Sequence, residues 1–238
     1  MNRVVDGSML AGAKLFAGLD ATARDEVAAA STLVRLKAAA TLFEQEAAAE
    51  AFYVLITGRV KIAQVTVEGH LVVIRYIGAG EVFGAVPLFT NTGYPASASA
   101  VVDSRAARWD RAATRRLFDR HPHIVSNALA IVGHRLQELQ DRYRELATER
   151  VEQRVARAVL RLLGGADREA RASAQIEFPL SRQDIAEMTG TTLHTVSRIL
   201  SGWEQRGLID SGRMRVVIRE RKALTAIADD LQPSAPPA

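Results

Sequence analysis

After the helix-breaking pair His121-Pro122, apolar residues recur at Val125, Leu129, Val132, Leu136, Leu139, Tyr143 and Leu146, at spacings that alternate four and three. An α-helix turns once every ~3.6 residues, so an unbroken seam of this period commits about residues 122–147 to one long helix with a narrow apolar stripe. Arg135, Glu138, Arg142 and Glu145 flank the stripe, as charged residues flank a coiled-coil seam. One core face of an ordinary amphipathic helix has the same spacing. A symmetric dimer through those seven residues covers the whole stripe with one kind of contact, and is the expectation.

The chain on either side has different periods. Residues 8–30 read as two short helices, the second being ATARDEVAAAS after the turn at Gly18-Leu19-Asp20. From Ser31 to Asp110 the runs STLVRLK, TLFEQ, AFYVLI, RVKIAQVTV, HLVVIRYI, SASAVVD and SRAARWD read as strands. Turn signals at Thr57-Gly58, Glu68-Gly69, Gly78-Ala79-Gly80 and Asn91-Thr92-Gly93 separate them. Short strands about ten residues apart with glycine turns predict a small antiparallel β-barrel or roll. Residues 111–119 read as a helical turn. Beyond the seam, Val151, Val155, Val159 and Leu162 predict a helix over about 149–163 that ends at Gly164-Gly165, as a C-cap would. The polar stretch ADREARASAQ then leads to a short strand at Ile176-Glu177-Phe178, and the tail QPSAPPA is expected to be disordered.

Composition excludes more than it selects. With no cysteine among 238 residues, disulfides, thiolate-held zinc, thiolate catalysis and cysteine-held iron–sulfur clusters are all out. The net charge of +4 divides into +2 for residues 1–145 and +2 for 146–238, so bulk charge points to no partner. No apolar run approaches the ~20 residues of a membrane span. Asp6 interrupts the only stretch near the N-terminus that resembles an export signal, so the expected location is cytoplasmic. No paired carboxylates, Ser/His/Asp set or metal-ligand cluster suggests an enzyme, and Glu44 and Glu46 lie in a strand-turn region where exposed acids are normal.

The segment SRQDIAEMTGTTLHTVSRILSGWEQR, residues 181–206, carries the function. Ser181 with Asp184 three residues later is a capping start, and Ile185, Ala186 and Met188 give a short helix. Gly190 supplies a tight turn, and Thr191 or Thr192 caps a second helix that buries Leu193, Val196, Ile199, Leu200 and Trp203. Its other face presents Thr192, His194, Thr195, Ser197, Arg198 and Ser201. A small residue, a glycine four later and an apolar residue six beyond match a helix-turn-helix. The following residues, Gly207 to Ile218, form a hairpin, so the unit reads as a winged helix. Arg198 suits a bidentate contact with guanine. Arg198, Ser197, His194 and Thr195 are expected toward bases, and Thr192, Arg182, Arg213 and Arg215 toward phosphates.

The order roll, long helix, winged helix, with the strings FEQE, YVLITGRVKI, GEVFG and TVSRIL, resembles the Crp/Fnr family of bacterial transcription regulators. The resemblance implies an α+β chain: a cyclic-nucleotide-binding-like β-roll (1–120), a dimerisation helix (121–147), a winged helix-turn-helix (148–230) and a disordered tail (231–238). It further implies that an effector at the junction of roll and long helix reorients the DNA-binding domains of a homodimer. Such dimers read palindromes with half-sites related to TTG or TGTGA. The expected partners are double-stranded DNA, a second copy of the chain and RNA polymerase.

Three departures qualify it. Ala85 and Pro95-Ala96 stand where cyclic-nucleotide-binding members carry an acidic residue and an Arg-Ser or Arg-Thr pair, and no Lys, Arg or His lies between Arg75 and Arg105. A cyclic phosphate would meet only backbone N–H groups near Gly84 and Ala85, so cyclic AMP is not expected. The cluster-ligating cysteines of the oxygen-sensing branch are missing. His194 replaces a glutamate that accepts from cytosine, so base preference should change at one step. The string TTLHTVSRIL looks most like the nitrogen-oxide-responsive NnrR and Dnr branch, which implies haem and nitric oxide. His134, off the seam and one turn from Ile131, is then the candidate axial ligand, ahead of His70, His121 and His123. Two further readings stay open: an apolar or aromatic effector lined by Phe83, Val86, Leu88 and Phe89, or no effector at all.

Overall fold

The computed structural model describes residues 4–90, 92–163 and 174–230. The chain divides into two compact units, 1–139 and 140–238, and the division falls inside the long helix.

In the first unit, Gly7–Leu10 and Lys14–Phe16 are separate 3-10 turns, not the helix expected there. Gly12 and Gly18, the latter at φ +83°, weaken helix formation too closely together for a longer run. Helix α1 (Ala21–Ala29) follows, capped by Asp20, which accepts from the Ala23 N–H at 2.8 Å. Eight strands come next: β1 (Thr32–Leu36), β2 (Thr41–Phe43), β3 (Ala51–Thr57), β4 (Val60–Val65), β5 (Leu71–Ile77), β6 (Val82–Phe83), β7 (Ser97–Ala100) and β8 (Ser104–Asp110). They form two antiparallel sheets, in the orders β1-β8-β3-β6 and β2-β7-β4-β5. Seven match the sequence expectation; the two residues of β6 are too few to show a period.

Strand β3 is apolar along most of its length because both of its faces are covered. Ala51, Tyr53 and Leu55 enter the core between the sheets. Phe52 and Val54 enter a second core with Ala107, Trp109 and the helices. Trp109 stacks on Phe52 at 4.9 Å and donates its indole N–H to the Val27 carbonyl at 2.9 Å. Helix α2 (Val86–Thr90) follows β6. Helix α3 (Arg111–Arg120) and helix α4 (Pro122–Thr148) follow β8. Within this unit α4 has an inner stripe: Ile124 is fully buried, Ala128 and Ile131 pack on the same core, and Asn127 donates to the Leu15 and Ala17 carbonyls.

In the second unit, α5 (Val151–Leu162) buries Val155, Ala156 and Val159. Strand β9 (Ala174–Gln175), α6 (Arg182–Thr189), α7 (Leu193–Gln205), β10 (Ile209–Gly212), β11 (Arg215–Ile218) and α8 (Arg221–Ala228) complete it. The sheet order is β10-β11-β9. The short strand therefore lies two residues ahead of its expected place at Ile176–Phe178. Ile176 and Phe178 are buried, and Ile176 continues the contact with β11 by donating its N–H to the Val216 carbonyl at 3.2 Å. Gly164-Gly165 and the tail 231–238 lie outside the described residues. Among the described residues, no helix is long and apolar enough to cross a membrane.

Candidate nucleic-acid interface

The two helices of the predicted motif form, and local chemistry explains where each begins. Ser181 accepts from the Asp184 N–H at 3.0 Å, while Asp184 accepts from the Ser181 N–H at 3.0 Å, closing a capping box on α6. Gly190 ends α6 at φ +62°, a conformation that costs other residues ~1–2 kcal/mol. Thr192 then caps α7, accepting from the Thr195 N–H at 3.2 Å. Such a cap contributes about 1 kcal/mol. The two threonine hydroxyls lie 2.9 Å apart, so each is engaged locally.

Val196, Leu200 and Trp203 bury the inner face of α7 and Ile199 is half-buried. Leu193 lies in register with that face, seven residues before Leu200, yet it is 47% exposed, contrary to the sequence expectation. His194 and Arg198 are exposed, Thr195 and Ser197 half-buried. Arg213 and Arg215 are exposed at the tip of the β10–β11 hairpin. Most arginines of this unit are tied down: Arg157 to Glu149 and Asp229, Arg161 to Glu145, Arg206 to Glu152, Arg219 to Asp210. Arg198, Arg213 and Arg215 have no acidic partner among the described residues. Free cations thus stand on the recognition helix and the wing, where a polyanion would supply the missing charge.

Arg182 is engaged within the unit. Its guanidinium donates to the Ser211 hydroxyl at 3.0 Å and lies 3.8 Å from Glu204. Glu204, near the end of α7, accepts from both the N–H and the hydroxyl of Ser211, at 2.8 and 2.6 Å. These three residues fix the wing against the recognition helix. Sequence reading missed Glu204, since its partners are seven and 22 residues away. Ser181, Arg182, Gln183, Leu193, Gly212 and Arg213 line a cleft of about 440 Å³ between the two elements.

The expected effector region is occupied differently. Phe83 is buried in an aromatic cluster, 5.3 Å from the Tyr53 ring and 6.2 Å from Phe43. Phe43 in turn stacks on Tyr94 at 3.8 Å. The Tyr94 hydroxyl donates to the Ala51 carbonyl at 2.7 Å, and burial pushes its phenol up to about 12. A side chain at Gly84 would approach the Tyr94 and Tyr53 rings at 3.3 and 3.4 Å. Val86 and Phe89 do not line this interior: they are 54% and 59% exposed, and Phe89 stacks on Phe118. Ala85, Leu88 and Ile131 are half-buried against the core beneath the roll.

His134 is 65% exposed, with Nδ1 3.6 Å from Glu138. Nearby, Glu81 pairs with Arg135 of α4, lies 3.7 Å from Arg75 and accepts from the Gly78 N–H. Arg135 also pairs with Glu138. Burial works to raise the Glu138 carboxyl, but the hydrogen bond and charge of Arg135 outweigh it and hold the group below the usual carboxylate range. Sequence reading found neither the roll-to-helix ion pair nor the aromatic cluster.

Comparison with known proteins agrees with this geometry. The family model of the Crp-like helix-turn-helix domain matches residues 153–227, and that of the cyclic nucleotide-binding domain matches 33–121. The nitrogen fixation regulation protein FixK of Azorhizobium caulinodans is 30% identical over 77% of this chain and 73% of its own length. The CRP-like cAMP-activated global transcriptional regulator of Mycobacterium tuberculosis is 24% identical over 91% of this chain and 96% of its own. The structure of FixK2 from Bradyrhizobium japonicum superposes with a TM-score of 0.71 at 24% identity, covering 86% of this chain and 98% of the other. With a cyclic-nucleotide-binding-like roll, a Crp-like helix-turn-helix and a relative 30% identical over 77% of the chain, the chain belongs to the Crp/Fnr family of DNA-binding transcription regulators.

Proposed function

We propose that the chain acts as a homodimer that reads a palindromic, TTG-type DNA site through two copies of α7 and its wing, with the roll of each protomer controlling affinity. The observation that carries the DNA reading is the set of arginines on the recognition helix and wing tip that have no acidic partner among the described residues. His194 replaces an acceptor, so preference at the base pair it faces should differ from the family pattern. Dimerisation is supported by the seam: all seven residues from Val125 to Leu146 are exposed, at 37% to 76%. Full burial stabilises by about 1.5–3 kcal/mol for each such aliphatic side chain. RNA polymerase is the proposed protein partner and the cytoplasm the proposed place of action, as befits a transcription regulator. The test is a shift assay of the intact protein on a duplex selected from a random pool, with mass determination in solution. Selective binding as a dimer is expected; a monomer, or equal affinity for all duplexes, contradicts the proposal.

Cyclic AMP is not the proposed effector. No cation lies between Arg75 and Arg105 in the sequence, and the Tyr94 and Tyr53 rings stand beside Gly84, with Phe43 stacked on Tyr94. The nitrogen-oxide reading through haem fits poorly. None of the five histidines is buried, and His134 leans on Glu138, so none is presented to an enclosed haem. The half-buried Ala85, Leu88 and Ile131 favour a small apolar effector at the junction of roll and α4. An absorption spectrum before and after adding haem and nitric oxide is expected to show no saturable Soret band. A band that shifts with nitric oxide and strengthens DNA binding would overturn this choice.

A further inference from the structure

A single exposed phenylalanine is ordinary, but two that touch each other, with a third apolar side chain beside them, make a patch. Phe89 of α2 is 59% exposed, and Val86, one turn earlier on the same side, is 54% exposed. Phe89 stacks face to face on Phe118 of α3, with ring centroids 5.4 Å apart and planes at 8°. Phe118 packs on the core that also holds Leu88, yet it is only half-buried. The two helices are tied together: Arg111, at the start of α3, donates from Nε to the Ala49 carbonyl at 2.9 Å and from a terminal nitrogen to the Leu88 carbonyl at 3.3 Å.

The edge of the patch is cationic. At about 100° per residue, Arg111, Arg115 and Phe118 fall within one arc of about 60° on α3, with Arg116 beyond Arg115. Arg115 and Arg116 are exposed and have no acidic partner among the described residues. Asp119, on the same helix, is exposed and pairs with neither, and Glu26 is taken by Arg120. Protein interfaces concentrate aromatic side chains and arginine, and a patch of this kind on a polar surface marks a contact site.

We infer that Val86, Phe89 and Phe118, edged by Arg115 and Arg116, form a docking surface for an acidic peptide segment of another protein, one that presents an aromatic or long aliphatic side chain flanked by Asp or Glu. This inference stands apart from the DNA-reading function. Two features select the occupant. The stacked rings and Val86 offer an apolar anchor point, and the guanidinium groups beside them favour carboxylates through charge-assisted hydrogen bonds. A basic partner meets like charge. A single strand of nucleic acid would stack its bases on open ring faces, but Phe89 and Phe118 each cover a face of the other. Because Arg111 holds α2 to α3 in advance, little order is lost on binding.

The test uses the intact protein and random-sequence peptides displayed on phage, selected on the wild type after depletion on Phe89→Asp. Peptides that survive should combine an aromatic or long aliphatic residue with neighbouring acids. One of them, synthesised and titrated, should bind Phe89→Ala at least about tenfold more weakly, as when an interface anchor is truncated. Arg115→Glu should slow association of the peptide and flatten its salt dependence. Exchanging the peptide's acids for lysine should restore binding to that variant, which a merely structural role of Arg115 would not allow. Unchanged circular dichroism spectra establish that the variants are folded. A library with no survivors overturns the inference, as do survivors without acids or survivors indifferent to Arg115→Glu. Displacement of the peptide by a single-stranded oligonucleotide makes the surface a nucleic-acid site and overturns the choice of partner. A wild type that forms a larger assembly in solution than Phe89→Asp does makes the occupant a second copy of this chain, which also overturns it.

Discussion

Arg198 and Arg213 are both exposed and both lack an acidic partner among the described residues, but they stand on different elements and should fail differently when removed. A guanine-reading arginine contributes about 1–3 kcal/mol of discrimination, so Arg198→Ala should lose roughly ten- to a hundredfold on the selected duplex and little on random DNA. Arg213→Ala should weaken all duplexes alike and lower the slope of log affinity against log salt by about one. Titrations of both variants on both kinds of duplex at several salt concentrations check the division. Equal losses on specific and random DNA for both would contradict it. At Tyr94 the direction of the pKa shift gives a pH dependence. The phenol is held neutral by burial, with its value raised from the ordinary 10.0 to about 12. The folded state then keeps a proton that the unfolded state releases, so the stabilisation is complete below pH 10 and declines as pH rises toward 12. Melting temperatures of wild type should fall more steeply across that interval than those of Tyr94→Phe; parallel curves would show that the phenol does not titrate abnormally.

At the scale of elements, α4 carries two stripes, and only one was legible. The outer seam showed in the sequence because a repeat of four and three is a local signal. The inner stripe of Ile124, Ala128 and Ile131 has the same spacing one residue out of phase, and small or polar neighbours such as Asn127 obscure it. Leu136→Asp places a charge on the outer seam and leaves the inner one intact, so it should give a folded monomer that no longer binds a palindrome. A dimer by light scattering would contradict the coiled-coil assignment. The helix-turn-helix was readable because its caps and turn are local: Ser181, Asp184, Gly190 and Thr192 act within a few residues of themselves. The burial of Leu193 was misjudged because periodicity gives the face on which a residue lies, not whether the core reaches the first residue of the helix. The clamp on the wing was hidden by its reach from Arg182 to Ser211. Glu204→Ala leaves the Ser211 N–H and hydroxyl without their acceptor. This should destabilise the second unit by about 1–3 kcal/mol, measurable by denaturant titration, and should weaken DNA binding without changing the preferred base sequence. Unchanged stability would show that the clamp is dispensable.

Across the whole molecule, the sequence revealed the order of roll, helix and winged helix, because each segment carries its own period or turn chemistry. It did not reveal how the sensor is filled. Phe43 and Tyr94 are 51 positions apart yet stack at 3.8 Å, and Glu81 and Arg135 meet across 54. Contacts of that span leave no periodic trace. The same limit explains the effector residues: Val86 and Phe89 look like pocket lining in a string, but the fold turns them outward. At this scale the proposed assembly is a dimer that presents two recognition helices to one duplex. The most direct test is the mass of the complex formed by the intact protein on its selected palindrome, compared with a duplex carrying a single half-site. The account predicts two chains on the palindrome and a large loss of affinity when one half-site is scrambled. One chain per duplex, with equal affinity for one half-site and for two, would contradict it.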